Sequence, residues 1–198
     1  MPGKAMRDEL IAAAWRLFLK QGYTRTSVEE IARELATSKR TIYEYFSDKT
    51  ELLQAGADTA LDTADRQART ILEEGNTPKE RFRRLMEWLP RSAAAFDSAA
   101  LTDIRRGAPA VWRRIEERRE EIIKHHLSIV LGSAAGDGKF GERDVDQVVG
   151  VIAAAVGGVL SRWEKGETAR YTAAAAEDIS VLLGILTAGL YGSDGGSQ

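Results

Sequence analysis

Between Ile11 and Leu53 the chain divides into short amphipathic segments, each opened by a helix-start signal and too short to be stable alone. Asp8 and Glu9 are suited to the positive end of a first helix. Its residues Leu10, Ile11, Ala14, Leu17 and Phe18 recur at steps of three and four, the mark of one buried face. Gly22 is the stop signal. Thr26 and Ser27 stand three residues before Glu29 and Glu30, two overlapping capping boxes for a second helix with Val28, Ile31, Ala32 and Leu35 inside. Ala36 and Thr37 make a turn, and Ser38 caps a third helix from Lys39 to about Phe46. Ser47 and Asp48, with Glu51 as a further capping box, start a fourth. Segments of this size must pack on one another, and the second and third form a helix-turn-helix.

In the third helix Ile42 and Phe46 lie one turn apart and face the small core. That rotates Lys39, Arg40, Thr41, Tyr43 and Glu44 to the other side or its edges. Such a surface suits the major groove of DNA. Arg40 can bond a guanine edge bidentately, Glu44 can accept from cytosine, and Thr41 can reach a base edge or a phosphate. Lys39, Tyr43, Tyr45 and Lys49 suit phosphates, as do the amides at the start of the fourth helix. The candidate DNA-contacting set is Thr26, Ser27, Ser38, Lys39, Arg40, Thr41, Tyr43, Tyr45 and Lys49.

The overall charge of −2 argues weakly against nucleic acid, but its distribution softens the objection. Residues 1–50 hold nine Lys and Arg against seven Asp and Glu, a net +2, and the remainder carries −4. Phosphate binding must therefore come from local placement. The chain has no cysteine, so a disulfide framework and thiolate metal sites are excluded, and its two histidines would need carboxylate help to hold a metal. No metal and no cofactor is expected. No basic, apolar, cleavable leader opens the sequence, and its longest apolar runs, 148–160 and 179–190, are shorter than the ~20 residues of a membrane span. A cytoplasmic protein without membrane association is expected.

The pattern Ala13, Leu17-Phe18, Gly22-Tyr23, Thr26-Ser27, Ile31-Ala32, Ser38, Thr41-Ile42-Tyr43, Tyr45-Phe46, Lys49 and Leu52-Leu53 resembles the tetracycline-repressor-like (TetR) family of bacterial regulators over about the first quarter of the chain. The resemblance implies a homodimer whose two heads read a palindromic operator. It places Tyr43 and Lys49 on phosphates and Lys39, Arg40 and Thr41 on the groove-facing helix. Ala36 departs from the family pattern, which has glycine in the turn. A left-handed alanine there costs on the order of 1 kcal/mol.

Beyond the head the pattern stays helical, with no strand signal. The fold class is all-α: a DNA-binding head over 1–49, a helical ligand-binding and dimerisation domain over 50–190, and a disordered tail over 191–198. A fourth helix runs to about Glu74, a fifth opens at Thr77-Pro78 and is interrupted near Pro90, and Gly107 and Pro109 mark another break. A charged helix spans Ala110 to about Leu131, followed by a loop over 132–143. The final helices, Val145 to about Lys165 and Thr172 to about Leu190, are rich in Ala and Gly. Interior glycines weaken a helix by ~1 kcal/mol each, so a cluster of them has a packing reason. The candidate dimer residues are Gly150, Ala154, Gly157, Gly158, Leu183 and Leu186, and the resemblance implies that these two helices pair with their copies.

Trp112, Ile115, Arg119, Ile122, His126 and Ile129 share one face of the charged helix. His126 can present a polar tip in an apolar cavity, with Trp88, Phe96, Trp112 and Trp163 as candidate walls of an effector pocket. The competing reading is that the tryptophans are core and His126 a satisfied buried imidazole. His125 and His126 point about 100° apart and do not converge on one site, and no Gly-rich phosphate loop or glycine-flanked nucleophilic serine occurs, so no enzyme is expected. The expected function is a ligand-responsive transcriptional regulator, a repressor by family habit, released by a small and largely apolar effector. The alternative is a dimeric interaction module whose head binds protein rather than DNA.

Overall fold

The computed structural model describes residues 2–94, 98–135 and 144–164, with positions 181, 182, 184–186 and 189. They form α1 (Pro2–Gln21), α2 (Val28–Glu34), α3 (Lys39–Tyr43), α4 (Lys49–Glu74), α5 (Pro78–Ala94), α6 (Ser98–Gly107), α7 (Pro109–Ala135) and α8 (Val145–Glu164). The fold is all-α, and no strand occurs among the described residues. None of the described helices is long and apolar enough to cross a membrane.

Several boundaries differ from the sequence expectation. α1 begins six residues before Asp8, because Pro2 occupies a first-turn position where its missing amide costs nothing. α5 continues through Pro90 to Ala94. Proline removes one backbone hydrogen bond there, while the burial of Phe82, Leu85, Met86 and Leu89 holds the preceding turns. α7 runs past Leu131 to Ala135 instead of opening into a loop at Gly132, and α3 stops at Tyr43. The rest of the expected 132–143 loop, most of the expected last helix (Leu183 included) and the tail lie outside the described residues.

The internal contacts divide the chain into two compact units, Met1–Thr63 with Phe96–Arg118, and Ala64–Ala95 with Arg119–Gln198. In the first, α6 and the start of α7 join the head. Its core gathers Leu10, Ile11, Ala14 and Phe18 of α1, Ile31 and Ala32 of α2, Ile42 and Phe46, Leu52 and Leu53, and Ile104, Val111 and Trp112. The second unit has its own core, in which Leu72, Phe82, Met86, Leu127, Leu131, Ile152 and Val156 are central.

Gly22 shows why glycine stands between α1 and α2. Its φ is +93°, and a Cβ there would lie 2.9 Å from Oδ2 of Asp103. That same oxygen accepts from the Thr24 amide at 2.7 Å, fastening α6 to the loop. At the other turn Ala36 has φ +49°. The Thr37 amide bonds the Ala32 carbonyl at 2.9 Å and the Ala36 amide bonds that of Arg33 at 3.2 Å, a Schellman closure with alanine in the left-handed position. Ala36→Gly is therefore expected to stabilise the head by about 1 kcal/mol and to leave operator affinity unchanged. Chemical denaturation would check it, and a destabilised chain would contradict the strain argument.

Candidate nucleic-acid interface

α3 has only five residues, and what positions it is its two anchors: Ile42 is 1% exposed and Phe46 2%. Ser38 caps the helix, its hydroxyl oxygen accepting from the Thr41 amide at 3.0 Å and lying 2.9 Å from Thr41 Oγ1. With Ile42 inside, Lys39, Arg40, Tyr43 and Glu44 are exposed and Thr41 is half-buried at the edge. Tyr45 is also half-buried.

The outward cations already have acidic partners. Lys39 Nζ lies 2.6 Å from Glu29 Oε1 on α2. That hydrogen bond lowers the Glu29 carboxyl and raises the Lys39 ammonium from their ordinary values, so both remain charged near neutrality. Arg40 Nε is 3.4 Å from Glu44 Oε1, a loose and highly exposed pair. Exposed pairs of this kind contribute little to stability and exchange readily for other partners.

Other members of the expected set have commitments inside the fold. The Thr26 side chain is buried, and its hydroxyl donates to the Gly22 carbonyl at 2.6 Å. Only one of the two expected capping boxes forms at the start of α2, that of Ser27 with Glu30, and Glu29 turns to Lys39 instead. The Ser27 amide and hydroxyl lie 2.8 and 3.0 Å from Glu30 Oε2, which holds that carboxyl below its ordinary value. At α4 the expected box is displaced by one residue: Glu51 accepts from the Ser47 amide at 2.6 Å, while Asp48 accepts from the Glu51 amide at 2.8 Å.

Lys49 is the largest departure from a simple surface cation. Its ammonium donates to the carbonyls of Tyr23 at 2.8 Å and Thr26 at 2.9 Å, and it lies 4.2 Å from the centre of the Tyr23 ring. Burial lowers its pKa, opposed by the charges of Asp103 and Glu30. Two of its three protons thus brace the first residue of α4 against the loop before α2, leaving one for a phosphate. Sequence reasoning missed this role because the accepting carbonyls lie more than twenty residues away.

The expected pocket residues divide between the units. Trp112 packs in the core of the first, with Ile104 and Val111. Trp88 packs against the core of the second, to which His126 also belongs. Phe96 and the side chain of Trp163 lie outside the described residues. On α7 beyond Arg119 the buried stripe is Ile123, Leu127, Val130 and Leu131, with Ile129 exposed. His126 is 1% exposed, and its Nε2 lies 2.8 Å from Asp65 Oδ1 on α4. His125, next in the chain, is exposed.

On α8, Val151 is 65% exposed, and Ala154 and Gly158 are exposed with it at helical spacing. A Cβ added at Gly150, Gly157 or Gly158 would meet nothing within 4 Å. The described residues thus give no packing reason for these glycines.

Residues 10–55 match the family model described as bacterial regulatory proteins, tetR family. Among curated proteins, the HTH-type transcriptional regulator HbdR of Aromatoleum sp. is 39% identical over 76 residues, 38% of this chain and 33% of that protein. The probable HTH-type transcriptional regulator ArpR of Pseudomonas putida is 27% identical over 178 residues, 79% of each chain. The chain thus spans about a third of HbdR and most of ArpR. A TetR transcription regulator from Haloarcula marismortui, known by crystal structure, superposes with a TM-score of 0.75 at 21% identity, covering 92% of this chain and 98% of that one. That likeness extends the fold correspondence beyond the head.

Proposed function

We propose that the chain is a transcriptional regulator of the kind that its tetR-family match over residues 10–55 and its likeness to ArpR support, that it binds a palindromic operator as a homodimer, acts as a repressor in the cytoplasm, and is released by a small, largely apolar effector. The observation that carries the DNA reading is the anchoring of α3: Ile42 and Phe46 inside, Lys39, Arg40 and Tyr43 outside. Arg40 reads a guanine edge, with Glu44 freed to accept from a neighbouring cytosine. Lys39, Tyr43, Tyr45 and the remaining proton of Lys49 hold phosphates, and Thr41 reaches the edge of the groove. Ser27 and Ser38 serve as helix caps at the rim, and Thr26 holds the turn.

Two heads on one dimer require half-sites about 34 Å apart or a multiple of it. An effector acts by favouring one head separation over the other. The exposed apolar face of α8 is the proposed seat of the second copy, with Gly150, Ala154, Gly157 and Gly158 allowing close approach and Leu183 and Leu186 of the last helix joining them.

Selection of binding sites from random duplex DNA, followed by titration at two salt concentrations, tests the reading. A palindrome bound with steep salt dependence is expected. Arg40→Ala should then cost ~1–3 kcal/mol and relax preference at one position of each half-site. Equal weakening on all sequences would remove Arg40 from base readout, and the absence of any enriched sequence would overturn the operator reading.

A further inference from the structure

The sequence signals open the first helix at Asp8, and so leave Lys4 and Arg7 outside the expected contact set. The structure carries α1 back to Pro2 and lays its first two turns along the segment that joins α3 to α4. Two contacts fix that placement. The Arg7 guanidinium carbon lies 5.1 Å from the centre of the Phe46 ring. A Cβ at Gly3, one turn earlier on the same side of α1, would lie 3.7 Å from the Tyr45 hydroxyl. Tyr45 and Phe46 follow directly on the exposed Tyr43 and Glu44, and lead through the exposed Ser47 and Asp48 to Lys49. Arg7 therefore stands beside the stretch of the head that runs from the groove-facing helix to the start of α4.

Arg7 is itself exposed, and its guanidinium makes no ion pair or hydrogen bond among the described residues. A ring contact consumes no acceptor, so its fork of N–H donors stays available to a phosphate. The carboxylate that faces it at the start of α4, Glu51, is taken by the Ser47 amide at 2.6 Å and the Ser47 hydroxyl at 2.8 Å. Those bonds hold the Glu51 carboxyl below its ordinary value, and the charge of Arg7 adds a smaller pull in the same direction. The cations of α3 are placed differently. Lys39 and Arg40 lie 2.6 and 3.4 Å from Glu29 and Glu44 and must exchange those partners for DNA. Arg7 gives up no ion pair. Lys4, exposed and three positions earlier on the helix, carries a second positive charge next to it.

We propose that Arg7 binds a backbone phosphate of the operator, so that the first two turns of α1 form a second phosphate-contacting surface beside α3, with Lys4 adding to its positive potential. This contact holds register and reads no base. It rests on the operator reading above and extends the surface through which that reading works.

The test measures the affinity of the full chain for the selected palindrome between about 50 and 200 mM salt. Arg7→Met keeps an apolar stem against Phe46 and removes the charge. A dimer then loses one phosphate contact in each half-site. The slope of log affinity on log salt should flatten by about 1.8, roughly 0.9 for each phosphate, with sequence preference unchanged. Arg7→Lys retains the charge and should retain the slope. Lys4→Glu gives a readout independent of packing, because an acidic group in the first turn favours the helix. It should nevertheless weaken binding by roughly tenfold at low salt and by less at high salt. A slope left unchanged by Arg7→Met, or an affinity left unchanged by Lys4→Glu, would overturn the proposal while the operator reading stood. A wild-type chain that bound no duplex with steep salt dependence would overturn both.

Discussion

Ala154→Arg is expected to give a monomeric chain whose operator affinity falls by ~10²–10⁴-fold, the range lost when two linked contacts become one. Ala154 lies on the exposed side of α8, between Val151, 65% exposed, and Gly158. Arginine has nearly the helix propensity of alanine, so the substitution leaves the isolated helix about as stable as before. What it changes is the surface offered to a second copy, where a guanidinium would have to lose its water without a partner. Gly158→Ala supplies the companion measurement. Its added Cβ meets nothing within 4 Å in the chain itself, so the unassembled helix should gain about 1 kcal/mol while the dimer weakens. Sedimentation of both variants, with titration of the selected operator, decides the matter. A stable Ala154→Arg dimer with unchanged affinity would remove this face of α8 from the proposed interface.

How far such residues were legible depends on the range of the interaction that fixes them. Ile42 and Phe46 were readable because one helical turn separates them and both had to face the same small core. Ala36 was readable because the end of α2 needs a left-handed residue whatever surrounds it. The two capping boxes at Thr26 and Ser27 were locally equivalent. The chain reversal at Gly22, which brings its carbonyl to the Thr26 hydroxyl, and the Lys39 partner of Glu29 distinguish them. Lys49 carried a charge that spoke for phosphate, yet its brace depends on carbonyls of Tyr23 and Thr26 brought near by the packed head. His126 is buried on α7, but its partner Asp65 lies 61 positions away in the chain. Periodicity along one helix contains no information about such a pair. The same limit applied to the tryptophans: their size marked them as buried, and nothing local assigned Trp112 and Trp88 to different cores.

Phe46→Ala should have the largest effect on the head. Phe46 is fully enclosed, with the Arg7 guanidinium carbon 5.1 Å from its ring centre. Truncating a buried phenylalanine costs ~3–5 kcal/mol, a large part of the ~5–15 kcal/mol that stabilises a typical domain. The loss falls on an element with little stability of its own, since five residues cannot sustain a helix without tertiary contacts. Amides from 39 to 46 should therefore exchange with solvent far faster, and operator binding should fall below detection even where the remainder of the chain stays folded. The second unit supplies the internal reference, because α5 and α8 bury their apolar faces in a separate core. Phe46→Leu, which retains most of the volume, should recover much of the protection and binding. Hydrogen exchange on the full chain would distinguish local loosening from global unfolding. If Phe46→Ala kept both the protection of α3 and the operator affinity, the groove-facing helix would have to be held by its Ser38 cap and Ile42 alone, and the anchoring argument for DNA recognition would fail.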